Sequence, residues 1–215
     1  MSFWNRAKAS SSKNNLPSFE SLADITKKGR LLKALKKYAS YYNPDDLEEM
    51  LTNYSNKLKG IPHGYSAELK ESAKIQITDG YHRLMTKKLD SAHSSMRLRS
   101  DWKDFVKYAA IETSKEDSSN HLRILKLIIA AYISYIEEEP IHPVNTKFPD
   151  GSIVEKYEGI YYCPVKDRWN NIESALCRYC PAVQSRERDL ILSKTERELI
   201  SKEEKLENYF YNFKG

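Results

Sequence analysis

The run from Leu122 to Ile136 constrains the fold more than any other part of the chain. Leu122, Ile124, Leu125, Leu127, Ile128, Ile129, Ala130, Ile133 and Ile136 cover most sides of a helix. A helix that is apolar nearly all round belongs at the centre of a protein or in a bilayer. Ile124–Ile136 contains Lys126 and is shorter than the roughly 20 residues needed to span a bilayer. The run therefore reads as a buried core helix, starting at Ser119 or Asn120 and ending at Glu139-Pro140. Each Leu or Ile it buries stabilises by about 1.5–3 kcal/mol before entropy is counted.

Other helices are expected around it. Leu22, Ile25, Leu31, Leu32, Leu35 and Tyr38 recur at helical spacing between Ser18 and Ser40. The next helix has the clearest start. Asn43 caps it, Pro44 suits its first turn, and Asp45, Asp46, Glu48 and Glu49 favour the positive end of the dipole. It stops near Gly60-Ile61-Pro62. A third helix is expected from Ser66 to Ala92, weakened in the middle by Gly80. A fourth starts at Ser100 and carries Trp102, Phe105, Val106 and Ala109.

Character changes at Pro140. Residues 140–182 hold five of the eight prolines and all three cysteines. Phe148-Pro149-Asp150-Gly151 suits a type I turn. Ile153–Tyr157 and Ile160–Cys163, separated by Glu158-Gly159, suit a β-hairpin. A short helix from Asn170 or Asn171 to Leu176 and a charged helix from Pro181 to Tyr209 complete the reading. The expected fold is mainly α, a helical bundle around a buried central helix. A small Cys/His-rich irregular segment with a β-hairpin precedes the last helix. Residues 1–17 read as a disordered basic tail, 18–139 as the bundle, 140–182 as a metal-binding segment and 183–215 as a helix packing back on the bundle.

Composition narrows the class. With 40% hydrophobic and 11% aromatic residues, wholesale disorder is excluded. The net charge of +5 suits a soluble protein and specifies no polyanionic partner. The basic excess is N-terminal, since residues 43–165 carry 16 bases against 19 acids. Met1–Asn15 has no apolar signal core, which places the protein in the cytoplasm, with no membrane association. Three cysteines cannot close a disulfide framework, and reducing conditions leave thiols available to a metal.

The chemistry concentrates in four residues. Cys163, Cys177 and Cys180 fall within 18 residues, and His142 lies 21 positions before Cys163. One imidazole and three thiolates match the tetrahedral demand of Zn²⁺ in a closed structural site. The two-residue gap in Cys177-Arg178-Tyr179-Cys180 lets two sulfurs converge from one tight turn. If Pro181 opens a helix, Cys180 lies at its N-terminus, where the dipole favours the thiolate. Lys166, Arg168 and Arg178 would offset the charge of three thiolates on one ion. An iron–sulfur cluster is the alternative cofactor. A metal-free redox pair lacks the βαβ setting of thioredoxin-like proteins. His63, His82, His93 and His121 read as ordinary histidines, with His82 and His93 eleven apart on one helix face. No phosphate loop, zinc-protease helix or nucleophile elbow is present.

The stretch His142-Pro143-Val144, Phe148-Pro149-Asp150-Gly151, Tyr161-Tyr162-Cys163-Pro164-Val165-Lys166 and Ala175-Leu176-Cys177-Arg178-Tyr179-Cys180-Pro181-Ala182-Val183-Gln184 resembles a family of methanogenic archaea, domain of unknown function 2115. Asp150 stands where the resemblance leads one to expect a second Gly. The resemblance implies an archaeal cytoplasmic protein and marks His142, Cys163, Cys177 and Cys180 as a unit. It implies no activity. The expected role is a non-enzymatic module whose zinc site orders a surface for a macromolecular partner, protein rather than nucleic acid. Arg168-Trp169 and Arg178-Tyr179 set cation beside aromatic there. The alternative is an iron–sulfur or thiol-redox protein, an enzyme or an accessory factor for methanogen metalloenzymes.

Overall fold

The computed structural model describes residues 18–59, 63–115, 119–148, 151–167 and 176–185. These residues are mostly helical, with a three-stranded sheet. The expected basic tail, Trp169, Arg168 and the charged C-terminal stretch from 186 onward lie outside them.

A 3-10 turn at Phe19–Leu22 precedes α1, Lys28–Ala39. The sequence suggests one continuous helix here, and the chain breaks it for a tertiary reason. Lys27 is extended and bridges Arg97. The Lys28 amide donates to Met96 O at 3.0 Å and the Leu98 amide to Thr26 O at 2.9 Å. Helix α2, Pro44–Lys57, starts as the sequence dictates. Asn43 Oδ1 accepts from the amides of Asp45 and Asp46, and Asp46 Oδ2 accepts from the Asn43 amide, a capping box.

The expected third helix is divided. Helix α3, His63–Lys74, passes through a π turn at Ile75–Asp79 into α4, Gly80–Thr86, and a separate α5 spans Ser91–Ser95. His82 and His93 therefore lie on different helices and share no face. Gly80 lets α4 approach the apolar run around Ile129. A Cβ there would stand 3.1 Å from Ile129 Cγ2. Helix α6 is Trp102–Thr113, and α7 is Asn120–Ala131, prolonged by a π turn at Tyr132–Glu137. Glu138, in the left-handed region at φ 55°, ends it.

Helix α7 buries Leu122, Ile124, Leu125 and Leu127–Ala131, and it touches α1, α4 and α6. An aromatic centre packs beside it. Trp102 stacks on Phe105 at 5.5 Å, Tyr135 meets Trp102 edge-on at 4.9 Å, and Tyr179 meets Phe105 edge-on at 5.2 Å.

The hairpin forms as β1, Glu155–Tyr157, antiparallel to β2, Ile160–Cys163. Glu158 and Gly159 both take positive φ, 47° and 83°, as a two-residue type I′ turn requires. The preceding Phe148–Gly151 turn is closed by the Gly151 amide donating to Phe148 O at 2.9 Å. β3, Val183–Gln184, pairs parallel to β2. This corrects the expectation of helix at these two positions. The free edge of β2 takes up Val183, and Gln184 clamps the pair with its own amide. Gln184 Nε2 donates to Pro164 O at 3.0 Å, and Oε1 accepts from the Asp167 amide at 2.9 Å.

Candidate functional site

Two adjoining features hold the side chains capable of chemistry: a thiol-bearing seam between sheet and helices, and a cavity beside it. The seam is built on a 3-10 turn, Leu176–Tyr179. Tyr179 drives its ring into the aromatic centre, and its hydroxyl donates to Asp104 O at 3.2 Å. Arg99 donates to Tyr179 O at 2.6 Å. Lys166, just after β2, donates from Nζ to Cys177 O at 2.5 Å and Cys180 O at 2.7 Å. An ammonium on carbonyls at the end of a turn is a favourable C-terminal cap. These bonds fix Cys177 and Cys180 on either side of a buried Tyr.

Cys163 closes β2 and is buried in a second hydrophobic cluster with Val154, Val165 and Ala182. Cys180 packs against both this cluster and the main core. Its Sγ accepts from the Ile141 amide at 3.5 Å, which brings the His142 segment alongside. All three cysteines are free thiols. Burial pushes the Cys163 thiol up, with Cys180 adding to the shift. Cys177 is pushed up to about 11 by burial, then by Cys180 and Cys163, with Lys166 acting in the opposite direction. No helix begins at Cys180, so the dipole assistance expected there is absent.

His142 packs edge-on against Phe148 at 5.9 Å. Burial, with help from Lys126, holds its pKa below the ordinary value, which favours the neutral, metal-binding form. Among the described residues, the only set of three His, Cys, Asp or Glu donors within 4.8 Å of one another is Asp46, Glu49 and His121. Any three of the four predicted donors therefore include a pair wider than that. Sulfurs on tetrahedral zinc stand about 3.8 Å apart. Cys163 and Cys180 share the second cluster and Ile141 brings the His142 segment to Cys180, but no three of the predicted ligands close to that spacing. The paired side-chain reading of Arg178-Tyr179 also changes. Arg178 Cζ lies 5.9 Å from the Tyr179 ring, but that ring is core and offers no surface for stacking.

The Asp46, Glu49 and His121 group went unread in the sequence. His121 Nε2 lies 3.8 Å from Glu49 Oε2 and 4.0 Å from Asp46 Oδ1, with no hydrogen-bond partner. Asp46 and Glu49 share a face of α2 at i, i+3 spacing, but nothing local links them to a histidine 75 positions from Asp46.

The cavity, about 910 Å³, lies between α2, α3, α7 and the 141–148 loop. His142 and Cys177 line it together with Lys57, Arg123 and Lys126. Lys126, which breaks the apolar run in the sequence, keeps accessible surface while the protein around it lowers its pKa by burial.

A mostly helical protein with a thiol-bearing sheet segment is the class these features define. Residues 27–185 match the family described as "Uncharacterized protein conserved in archaea (DUF2115)", and the chain belongs to that family. It is similar to a UPF0305 protein of Methanothermobacter thermautotrophicus, 31% identical over 160 residues, covering 72% of this chain and 94% of the relative. A second match to a UPF0305 protein of that organism is 38% identical over 84 residues, covering 38% of this chain and about half, 51%, of the relative. A UPF0305 protein of Methanopyrus kandleri is 36% identical over 66 residues, 31% of this chain and 46% of the relative. No solved structure matches. Among the described residues no helix is long and apolar enough to cross a membrane.

Proposed function

We propose that this protein is a non-enzymatic metal-binding module. In this reading His142, Cys163, Cys177 and Cys180 hold Zn²⁺, and the ion fastens the sheet segment to the helices and orders a surface for a protein partner. The observation that carries it is the position of the thiols. One sits within the second hydrophobic cluster, one touches both clusters, and the third lines the adjoining cavity. A cluster with four buried members needs an added tie, which metal coordination supplies in small segments. Lys166 stands beside the cysteine carbonyls, where it offsets the net negative charge of three thiolates on one divalent ion. Ile160, at the exposed end of the hairpin, belongs to the surface such an ion would order.

Metal analysis of protein purified without air tests the reading, with an absorbance scan on the same sample. The expected result is a colourless protein with one zinc per chain, lost on Cys177→Ser. A metal-free preparation overturns it. A brown preparation with iron and acid-labile sulfide replaces zinc with the iron–sulfur alternative.

A further inference from the structure

Three cations meet around the cavity, and none of the described residues lining it is Asp or Glu. Lys57 ends α2, and Arg123 and Lys126 lie one turn apart on the same face of α7. The Arg123 guanidinium is already engaged, donating to Glu112 O, Lys115 O and Asn120 Oδ1, so it contributes charge rather than a free donor. Lys126 has no hydrogen bond or ion pair among the described residues. Burial lowers its pKa first, then the charge of Lys57, with Arg123 adding to the effect, while Glu112 and Cys177 act the other way. Glu112 is itself engaged by Lys115. The wall also carries polar side chains, among them Asn53, Ser72 and Gln76, and an apolar part that includes Leu69, Ile77, Leu122 and Ile129. Like charges lining one cavity repel one another, and an anion placed among them relieves that repulsion.

We propose that this cavity binds a small organic anion, with an oxyanion head at Lys126, in the field of Lys57 and Arg123, and an apolar body against Leu69, Ile77, Leu122 and Ile129. The volume suits a drug-sized molecule, since ligand sites run about 300–1,000 Å³. A cationic ligand is disfavoured by the same charges. The site is independent of the metal reading, although His142 and Cys177 border the same space.

Fluorescence titration of the full chain tests it with two probes of one shape. 8-Anilinonaphthalene-1-sulfonate carries an anionic head, and N-phenyl-1-naphthylamine has the same rings without it. The sulfonate is expected to bind at least about 10-fold more tightly, the scale of one charge-assisted hydrogen bond. Lys126→Met should remove most of that advantage and leave the neutral probe unchanged, while Lys126→Arg retains it. Lys107→Met, an exposed position on α6, serves as the control and should change neither. Equal affinity for the two probes, or an undiminished preference in Lys126→Met, overturns the proposal. Zinc content measured on the same samples separates this outcome from the metal reading, because Lys126→Met should leave it unaltered.

Discussion

The helical body and the sheet segment are held by different means. Around α7 the body buries Trp102, Phe105, Tyr132, Tyr135 and a long series of Leu and Ile in one cluster. Among the described residues, the sheet segment buries its own smaller cluster of Val154, Cys163, Val165 and Ala182, with Phe148, Tyr161 and Cys180 packed partly buried against it. The first buries far more apolar surface against its ordering entropy than the described part of the second does. The second region is therefore secured from outside, by Tyr179 in the aromatic centre, by Arg99 and Lys166 on backbone carbonyls and, as proposed, by an ion. The difference teaches that stability of the body and order of the segment are separable properties, joined at Tyr179.

Removing the centre of the body should have the largest effect. Phe105 is fully buried and touches Phe19, Trp102, Tyr135 and Tyr179. Phe105→Ala should cost about 3–5 kcal/mol in denaturant unfolding, the range for deleting a buried aromatic ring. A loss below about 1 kcal/mol would show that the body does not depend on this centre.

Tyr179→Ala attacks the joint itself. It deletes a buried ring, the hydroxyl bond to Asp104 O and the packing that holds the turn between Cys177 and Cys180. The expected cost is about 3 kcal/mol, the lower end for aromatic deletion because the turn can relax. Unlike Phe105→Ala, it should also make residues 151–167 susceptible to protease under conditions where the body remains folded. If proteolysis of the two variants differs only in proportion to global stability, the two regions are one cooperative unit.

A smaller effect concerns the end of the π turn. Glu137 is partly buried, which raises its pKa. The hydrogen bond from Tyr132, the bond from Lys87 and the charges of Lys87 and Arg83 outweigh this and leave it below the ordinary value. Lys87 Nζ lies 2.9 Å from Oε1, and Arg83 Nη2 lies 3.3 Å from Oε2. A depressed carboxyl pKa contributes stability that is present above the unfolded value. That stability is lost as pH falls through the folded one. Glu137→Gln should therefore cost about 1 kcal/mol at pH 7, a figure reduced because Lys87 and Arg83 are partly solvated. The gap between the two proteins should close in acid, in unfolding midpoints measured from pH 7 to pH 3. A gap that persists at the acid end would assign the cost to packing rather than charge.

Much of the helical body was legible because its signals are local. Asn43-Pro44 with acids in the first turn gives the start of α2, and the apolar run around Ile128 gives a buried α7. Glu158-Gly159 gives the hairpin turn through backbone conformation alone. The breaks were not legible, because their causes are distant. Lys27 leaves the helix to pair with Arg97, and Gly80 joins a π turn where α4 presses on Ile129. Val183 becomes a strand because β2 offers an edge. At the candidate site, the spacing of Cys177 and Cys180 placed both on one turn, and the sequence could not show that Tyr179 between them is core. The cationic cavity was hidden more completely. Lys126 read only as an interruption in an apolar run, since Lys57, on α2, comes to the same cavity only in the folded chain.

The smallest expected change in global stability separates the two regions most cleanly. Cys180→Ser keeps nearly the same volume and exchanges a thiol for a hydroxyl where the Ile141 amide supplies a donor. The main core retains its aromatic centre and α7, so the unfolding midpoint should move by no more than about 0.5 kcal/mol. The segment loses its seam contact and the proposed ligand together. Proteolysis within residues 140–182 should then quicken at least tenfold, equivalent to about 1.4 kcal/mol in local opening, with far-ultraviolet circular dichroism unchanged. Loss of several kcal/mol of global stability would mean instead that Cys180 belongs to the helical core, because its contacts with the two clusters would then be energetically one.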